Sequence, residues 1–298
     1  MGNSLHNFSN TLVDAVETAA ASIVRVEARR RMPATGIVWS QDGLILTAHH
    51  VVRRDDNIQI GFANGSSAQA QIVGRDPTTD LALLKADVHN CMPLQHVVEN
   101  GIRVGHFVLA LGRPGSTVQA TSGIVSAYDK GWRTPFGGQI DQYLQTDVLM
   151  YPGFSGGALI NASGQLLGLN SSALLPGTST AVPITTLQRI SQTLLAHGRM
   201  QRGYLGVSTQ RVRLPKELSD SLNQKTGLLI VSTESGSPAE EGGLILGDTL
   251  IALGDNQIAT HEDLLAALSG DQIGQKVPFN IIRGGEVRTV NVKIGERS

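Results

Sequence analysis

Short apolar runs separated by turn residues dominate the chain from Ile23 to Leu169. Runs such as Ile37–Trp39 and Leu81–Leu84 are followed or preceded by turn sequences such as Gln41–Asp42–Gly43. This pattern is typical of a sandwich or barrel and not of alternating strands and helices. A content of 34 glycines and only 4% aromatic residues agrees with a turn-rich, mainly β protein.

A length of 298 residues predicts about two domains. Residues 1–22 are expected to form an N-terminal helix, because Phe8, Leu12 and Val16 recur at helical spacing. We expect residues 23–198 to form the β domain, closed by a helix that stops at Gly198. After a short polar linker, residues 203–298 are predicted to form a small α+β domain, in which Thr260 caps the last helix.

Composition and motifs exclude several classes of function. The 24 basic residues are balanced by 25 acidic ones, which argues against nucleic-acid binding. Cys91 is the single cysteine, so no intrachain disulfide is expected. No phosphate-binding loop, dinucleotide fingerprint or zinc motif appears, and His261 lacks a second histidine at the zinc-motif spacing, so no cofactor or metal is expected.

The sequence also bears on membrane association and location. No apolar run approaches the ~20 residues of a membrane span. The N terminus lacks the basic and then apolar pattern of a signal peptide. The chain as it stands is therefore expected in the cytoplasm, or in the periplasm if a signal peptide was removed.

Three short motifs contain residue types that perform covalent catalysis. His50 follows an apolar strand, Asp80 opens another, and Ser155 lies in a glycine-dense turn. A serine hydroxyl needs a base to become nucleophilic, and histidine exchanges protons near neutral pH. A buried carboxylate then orients the imidazole, and we expect the backbone amides of Gly153 and Ser155 to stabilise the oxyanion.

The order of these motifs distinguishes between two enzyme folds that use a nucleophilic serine. Gly153–Gly157 also satisfies Gly-x-Ser-x-Gly, the nucleophile turn of α/β-hydrolases. That turn requires a helix after the serine and later catalytic acid and histidine residues. Here Ser155 is followed by a predicted hairpin. The order histidine, aspartate, serine is that of chymotrypsin-like proteases.

The motifs together resemble those of HtrA-type (high-temperature-requirement A) serine proteases with one C-terminal PDZ domain. His50–Val52 matches the family's His-Val-Val, Asp76–Leu84 matches Asp-Pro-x-x-Asp-x-Ala-x-Leu, and Gly153–Leu159 matches Gly-Asn-Ser-Gly-Gly-Pro-Leu. The resemblance selects His50 rather than His49 as the base. It implies two six-stranded-type β-barrels, a PDZ domain, a homotrimer, and stress-related degradation of unfolded or misfolded proteins.

The resemblance also implies two binding sites. Met150 and Leu169 are expected to form the specificity pocket, which would accept a small or medium aliphatic residue. Tyr204, Leu205, Gly206 and Val207 match the carboxylate-binding loop of a PDZ domain, which holds the C terminus of a peptide. Three leucines of the last helix could line its side-chain pocket, namely Leu264, Leu265 and Leu268.

Three positions depart from the family pattern, with Tyr151 and Phe154 replacing asparagines and Ala158 replacing a proline. Phe154 is bulky and directly precedes the nucleophile, which leaves one alternative function open. In that alternative, Phe154 blocks the oxyanion turn, and the chain is a proteolytically silent PDZ scaffold or chaperone.

Overall fold

The computed structural model describes residues 2–97, 101–200, 203–268 and 272–296. By its internal contacts the chain divides into two compact units, Met1–Met200 and Gln201–Ser298. Residues 201 and 202 of the expected linker lie outside the described residues, so the boundary at 198–203 stays a prediction.

The first unit begins with a closed antiparallel barrel of six strands in the order β1-β2-β3-β6-β5-β4. Strands β2 and β3 are buried along their whole length, and apart from Thr35 and Thr47 they contain only apolar residues and glycine. The strands are β1 (Ile23–Glu27), β2 (Ala34–Val38), β3 (Leu44–Ala48), β4 (Ile58–Gly61), β5 (Ser67–Asp76) and β6 (Leu81–Ala86).

A second closed barrel follows, with the order β10-β11-β12-β9-β8-β7. Its strands are β7 (Phe107–Gly112), β8 (Gln119–Arg133), β9 (Gln139–Thr146), β10 (Ala158–Asn161), β11 (Leu166–Ser171) and β12 (Ser179–Pro183). The two barrels confirm the expected chymotrypsin-like architecture.

The described residues of this first unit also form two α-helices. Helix α1 (Gly2–Ala20) buries Ala15 and Ala19, and the ring of Phe8 meets the edge of Phe107 at 5.4 Å between centroids. Helix α2 (Ile184–His197) ends at Gly198, which is left-handed with φ +72° and donates its amide hydrogen to Leu194 O. This end confirms the predicted glycine stop.

The second unit is a small α+β domain with the sheet order β14-β15-β16-β18-β19 and a separate pair, β13 with β20. Phe279 and Leu250 are fully buried in its core, and Arg283 forms a two-pronged ion pair with the buried Asp248, with both N–O distances 2.7 Å. A capping box between Thr260 and Asp263 starts the last helix, as predicted.

The strands of this unit are β13 (Gly203–Tyr204), β14 (Val207–Arg213), β15 (Thr226–Thr233), β16 (Thr249–Leu253), β17 (Asn256–Gln257), β18 (Lys276–Arg283), β19 (Glu286–Lys293) and β20 (Gly295–Glu296). Its helices are α3 (Lys216–Leu222), α4 (Pro238–Glu241) and α5 (His261–Ala267). None of the helices in the described part of the chain is long and apolar enough to cross a membrane.

Candidate active site

The three predicted catalytic residues lie at the ends of barrel strands. His50 is in a short 3-10 turn, His49–Val51, directly after β3, and Asp80 lies in the turn between β5 and β6. Ser155 lies in the turn before β10. The first barrel therefore supplies the histidine and the aspartate, and the second barrel supplies the serine.

Asp80 holds the imidazole of His50 in one orientation. The Nδ1 atom of His50 lies 2.8 Å from Asp80 Oδ2 and 3.0 Å from Oδ1, and the His50 amide donates to Oδ1 at 2.9 Å. Asp80 is buried, and it also accepts a hydrogen bond from the Ser171 hydroxyl. With the proton on Nδ1, the Nε2 atom of His50 is left to accept a proton.

His49 is not arranged as a base, although it precedes His50 in the same turn. Its amide donates to the Asp80 backbone carbonyl at 2.9 Å, whereas its Nδ1 atom is buried without a partner among the described residues. Burial, and then the positive charge of Arg75, lowers the pKa of His49. The carboxylate of Asp80 contacts the ring of His50 rather than that of His49.

The hydroxyl of Ser155 points to another serine in this resting structure. Its Oγ lies 3.0 Å from Ser172 Oγ and 3.4 Å from the Ser172 amide nitrogen. It forms no hydrogen bond with His50 in the part of the chain that the structure describes. Catalytic hydrogen bonds often form only in the substrate complex, so this resting contact is compatible with Ser155 as the nucleophile.

Neighbouring contacts nevertheless bring Ser155 and His50 into one site. Ser171 contacts Asp80, and the next residue, Ser172, contacts Ser155. Gly156 lies against Ala48, because a Cβ atom added to Gly156 would be 3.0 Å from the Ala48 nitrogen. The turn that carries the serine therefore lies against the strand end that carries His50.

The turn before Ser155 presents two unused backbone donors. Gly153 is left-handed, with φ +93°, and its carbonyl accepts a hydrogen bond from Thr35 Oγ1 at 2.7 Å. The Thr35 hydroxyl in turn accepts from the Arg113 amide at 2.8 Å. Within the described residues, neither the Gly153 amide nor the Ser155 amide donates a hydrogen bond, so both are available to an oxyanion.

Phe154 does not project over these donors. Its side chain is fully buried in the second barrel, where a Cβ atom added to Gly112 would lie 2.5 Å from the ring. The ring of Tyr151 meets that of Phe154 edge to face at 5.7 Å. The two aromatic replacements therefore pack on each other, and Phe154 fills the barrel interior.

The structure does not bring the two predicted pocket residues together. Met150 is half-buried and packs against the apolar cluster that contains Phe154. Leu169 is fully buried in a different cluster, and its strand position faces Ala158 and Val182. The assignment of both residues to one specificity pocket stays a prediction.

The predicted carboxylate-binding loop precedes a strand at the edge of its sheet. Gly206 is left-handed, with φ +76°, and Leu205 is buried. Val207 begins β14, which pairs only with β15 among the described strands. Of the predicted pocket leucines in α5 and directly after it, Leu264 and Leu268 are buried in the core and Leu265 is exposed.

Sequence reasoning missed the residues that support the site. Ser171 and Ser172 join Asp80 and Ser155, and Thr35 links the Gly153 carbonyl to the Arg113 amide. The buried guanidinium of Arg113 also donates to the carbonyls of Ile23, Ser116 and Ala20, at the end of helix α1. The only signal in the sequence that could have indicated Thr35 and Ser171 was a hydroxyl-bearing residue within a predicted buried strand.

The residues that the structure describes include no group of three or more histidine, cysteine, aspartate or glutamate side chains able to hold a metal ion.

Comparisons with known proteins agree with this geometry. Residues 34–169 match the trypsin-like peptidase domain family, and residues 203–294 match the PDZ domain family. A probable periplasmic serine endoprotease DegP-like from Pseudomonas putida is 36% identical over 269 residues, which cover 88% of this chain and 55% of the relative. Its counterpart from Hahella chejuensis is 34% identical over 280 residues, covering 90% of this chain and 59% of the relative. The chain thus spans little more than half the length of the curated relatives it matches.

Solved structures match over almost the whole chain. The HtrA-type protease AlgW with a tripeptide is 30% identical with a TM-score of 0.76, covering 96% of this chain and 97% of that one. The serine endoprotease from Yersinia pestis is 28% identical with a TM-score of 0.78, covering 96% and 98%.

Proposed function

This chain belongs to the HtrA family of serine proteases, and from that membership we propose that it is a serine endopeptidase that degrades unfolded or misfolded proteins through an acyl-enzyme. The observation that carries the proposal is the orientation of His50 by the buried carboxylate of Asp80. Because Nδ1 is held by the carboxylate, Nε2 is the only ring nitrogen left to take the proton of Ser155.

The proposed reaction uses only groups of this chain. Ser155 Oγ attacks the scissile carbonyl while His50 Nε2 removes the hydroxyl proton, and the amides of Gly153 and Ser155 bind the resulting oxyanion. The tetrahedral intermediate collapses when His50 returns the proton to the leaving amine, which leaves an acyl ester on Ser155. Water, deprotonated by His50, then hydrolyses the ester and regenerates the serine.

The alternative of a proteolytically silent PDZ scaffold or chaperone has no supporting observation. It required Phe154 to block the oxyanion turn, whereas that side chain is fully buried in the second barrel.

We expect the enzyme to degrade casein and to cut mainly after Val, Ala, Ile, Leu or Met. Residues 169–177 contain no acidic side chain that would attract lysine or arginine, and Met150 offers an apolar surface before the nucleophile turn. Mass spectrometry of the casein fragments would identify the residue before each cut, with the Ser155→Ala protein as the control for contaminating proteases. Cuts that occur mainly after lysine or arginine would contradict the proposed pocket.

We further propose that residues 203–298 bind the free C terminus of a peptide alongside β14. The unpaired edge of β14 and the left-handed Gly206 support this assignment, because strand addition needs open backbone groups. AlgW was solved with a decapeptide and with a tripeptide, which is consistent with peptide binding in this family.

Amidation of the peptide's C terminus is expected to weaken its binding about tenfold or more, since a hydrogen bond to a charged group contributes roughly 1.5–3 kcal/mol. Titration of the full-length Ser155→Ala protein with free and amidated forms of one peptide measures this difference without cleavage. Equal affinities would mean that the Tyr204–Val207 loop does not bind a carboxylate.

Location and assembly extend the proposal. The curated relatives are named as periplasmic, and we propose the same compartment for this protein.

We also propose a homotrimer, and the exposed apolar side chains of Leu5 and Val13 on α1 are surfaces that subunit contacts could cover. Light scattering that gave the mass of a monomer would contradict the trimer.

A further inference from the structure

Six arginines lie on two connections and one strand of the first barrel. Three of them are exposed, and the other three are half-buried. We call this group the arginine patch, and it consists of Arg29, Arg30, Arg31, Arg53, Arg54 and Arg75.

Hydrogen bonds hold the two connections of the patch together. The amides of Arg53 and Arg54 both donate to the Ala28 carbonyl, at 2.9 and 3.1 Å, and the Arg54 guanidinium donates to the Arg29 carbonyl at 2.7 Å. Arg75 donates to the carbonyls of Val52 and Arg54 at 2.9 and 3.0 Å. These hydrogen bonds therefore hold the two connections and β5 together.

Positive charge in the patch is only partly compensated. Asp55 forms an ion pair with Arg75 at 2.7 Å, whereas Arg30 and Arg31 form no ion pair with any described residue. Burial, and then repulsion by the charge of Arg53, lowers the pKa of Arg29. Because the positive charges of these arginines repel one another, the surface that they form attracts anionic groups.

The patch adjoins two segments of the candidate active site. The Arg53 guanidinium donates to the carbonyl of His50 at 3.1 Å. At the other end, Arg29 donates to the Met32 carbonyl at 2.7 Å, and the carbonyl of Pro33 lies 3.0 Å from the position of a Cβ added to Gly153. The two connections that carry five of the arginines therefore adjoin the His50 turn and the oxyanion turn.

An open cavity of about 560 Å³ adjoins the same loop. Pro114, one of its lining residues, lies against Gly153 of the oxyanion turn. Its lining is mostly apolar and consists of Met32, Pro114, Gly115, Gln119, Tyr151 and Pro152. The surface beside the patch therefore combines an apolar cavity with fixed cations.

The proposed chemistry indicates which part of a substrate would lie there. The acyl group stays on Ser155, which the second barrel carries, whereas the leaving amine must reach His50 to take its proton. His50 and the arginine patch both belong to the first barrel. The leaving amine must therefore lie beside His50, whose backbone carbonyl accepts the hydrogen bond from Arg53.

We propose that the arginine patch, together with the cavity at Met32, binds the substrate segment on the leaving-group side of the cleaved bond and selects an apolar residue followed by acidic residues. This inference rests on the proposed endopeptidase function. A polypeptide is favoured over a polyanion because the cavity is apolar and because the chain as a whole carries a net charge of -1.

Fluorogenic peptides that share one acyl-side sequence test the proposal. They carry Glu-Glu, Gln-Gln or Lys-Lys at the second and third positions after the cleaved bond, and kcat/KM is measured for each. We expect Glu-Glu to exceed Gln-Gln by about five- to tenfold, from two partly exposed ion pairs. The preference should shrink between about 0.1 M and about 1 M salt, as the Debye length falls from about 10 Å to about 3 Å.

Charge variants assign the effect to the patch. The double variant Arg30→Gln, Arg31→Gln should lose the preference for Glu-Glu over Gln-Gln, and the double variant Arg30→Glu, Arg31→Glu should prefer Lys-Lys. The matched control is the double variant Arg103→Gln, Lys130→Gln, which removes two exposed cations from the part of the chain that forms the second barrel. This control should keep the preference for Glu-Glu.

The outcomes separate this inference from the proposed function. Failure to cleave any peptide would overturn the protease function, and with it this inference. Cleavage with equal kcat/KM for Glu-Glu and Gln-Gln, or a preference that survives in the Arg30→Gln, Arg31→Gln variant, would overturn the inference alone. Short-chain polyphosphate is a further probe: inhibition of all three peptides to the same extent, without any Glu-Glu preference, would identify a general anion site instead.

Discussion

Ser155→Ala is expected to lower kcat/KM for peptide hydrolysis by about 10⁴- to 10⁶-fold and to leave the chain folded. The activity falls because alanine has no hydroxyl to form the acyl ester. The fold should persist because, among the described residues, the Ser155 hydroxyl forms hydrogen bonds only with the uncharged hydroxyl and amide of Ser172. Continuous peptide assays together with thermal unfolding of the same preparations measure both quantities.

His50→Ala should cause a loss of the same size, and the double variant should be little worse than either single variant, because the members of a triad act as a unit. His49→Ala is the matched control, since its ring does not contact the Asp80 carboxylate. We expect it to retain substantial activity. An inactive His49→Ala protein beside an active His50→Ala protein would show that the base is His49.

Asp80→Asn should lower kcat by about 10⁴-fold, because an amide in place of the carboxylate favours the wrong tautomer of the histidine. In this structure, both oxygens of Asp80 lie within 3.0 Å of His50 Nδ1. An asparagine that donated its NH₂ group to Nδ1 would place the proton of His50 on Nε2, where a base must be free. Asparagine also tolerates the left-handed backbone that Asp80 adopts, with φ +58°, so the fold should survive.

Ser171→Ala provides the comparison for Asp80→Asn. It removes one of the hydrogen bonds to the Asp80 carboxylate but keeps the negative charge and the contact with His50. We therefore expect a much smaller loss of kcat. Steady-state kinetics of both variants on one substrate would test this, and an Asp80→Asn protein that kept most of its activity would exclude Asp80 as the orienting carboxylate.

The replacement of asparagine by Phe154 shows how a departure from a family pattern can be misjudged from sequence. A bulky residue beside the nucleophile predicts obstruction of the oxyanion turn. In the structure the side chain enters the second barrel instead, and a glycine at position 112 provides the room that the ring requires. Sequence could not reveal this, because Gly112 is distant in the chain and its Cα faces the ring only after the barrel closes.

Leu169 shows what a sequence resemblance leaves undecided. The resemblance implied that Leu169 lines the specificity pocket, and the structure shows the residue fully buried on β11, opposite Ala158 and Val182. In a strand, neighbouring residues face opposite sides, so strand register determines which side chains are available to a pocket, and the assignment of Leu169 stays a prediction.

The local pattern of the sequence was sufficient for the fold class and for the candidate catalytic residues. Short apolar runs and glycine turns predicted a β sandwich or barrel, because strand length and turn residues are properties of neighbouring positions, and the family resemblance implied two barrels. The order and residue types of the histidine, aspartate and serine motifs predicted the reacting residues.

Only the tertiary structure decided how those residues are supported and which states they adopt. The Ser171 hydroxyl reaches Asp80 from 91 positions away, and Thr35 reaches the Gly153 carbonyl from 118 positions away. The tertiary structure also brings the Ser155 hydroxyl within hydrogen-bond distance of Ser172, and it joins the two arginine-bearing connections of the first barrel. These contacts depend on barrel closure and on strand register, which bring together residues that no local pattern relates.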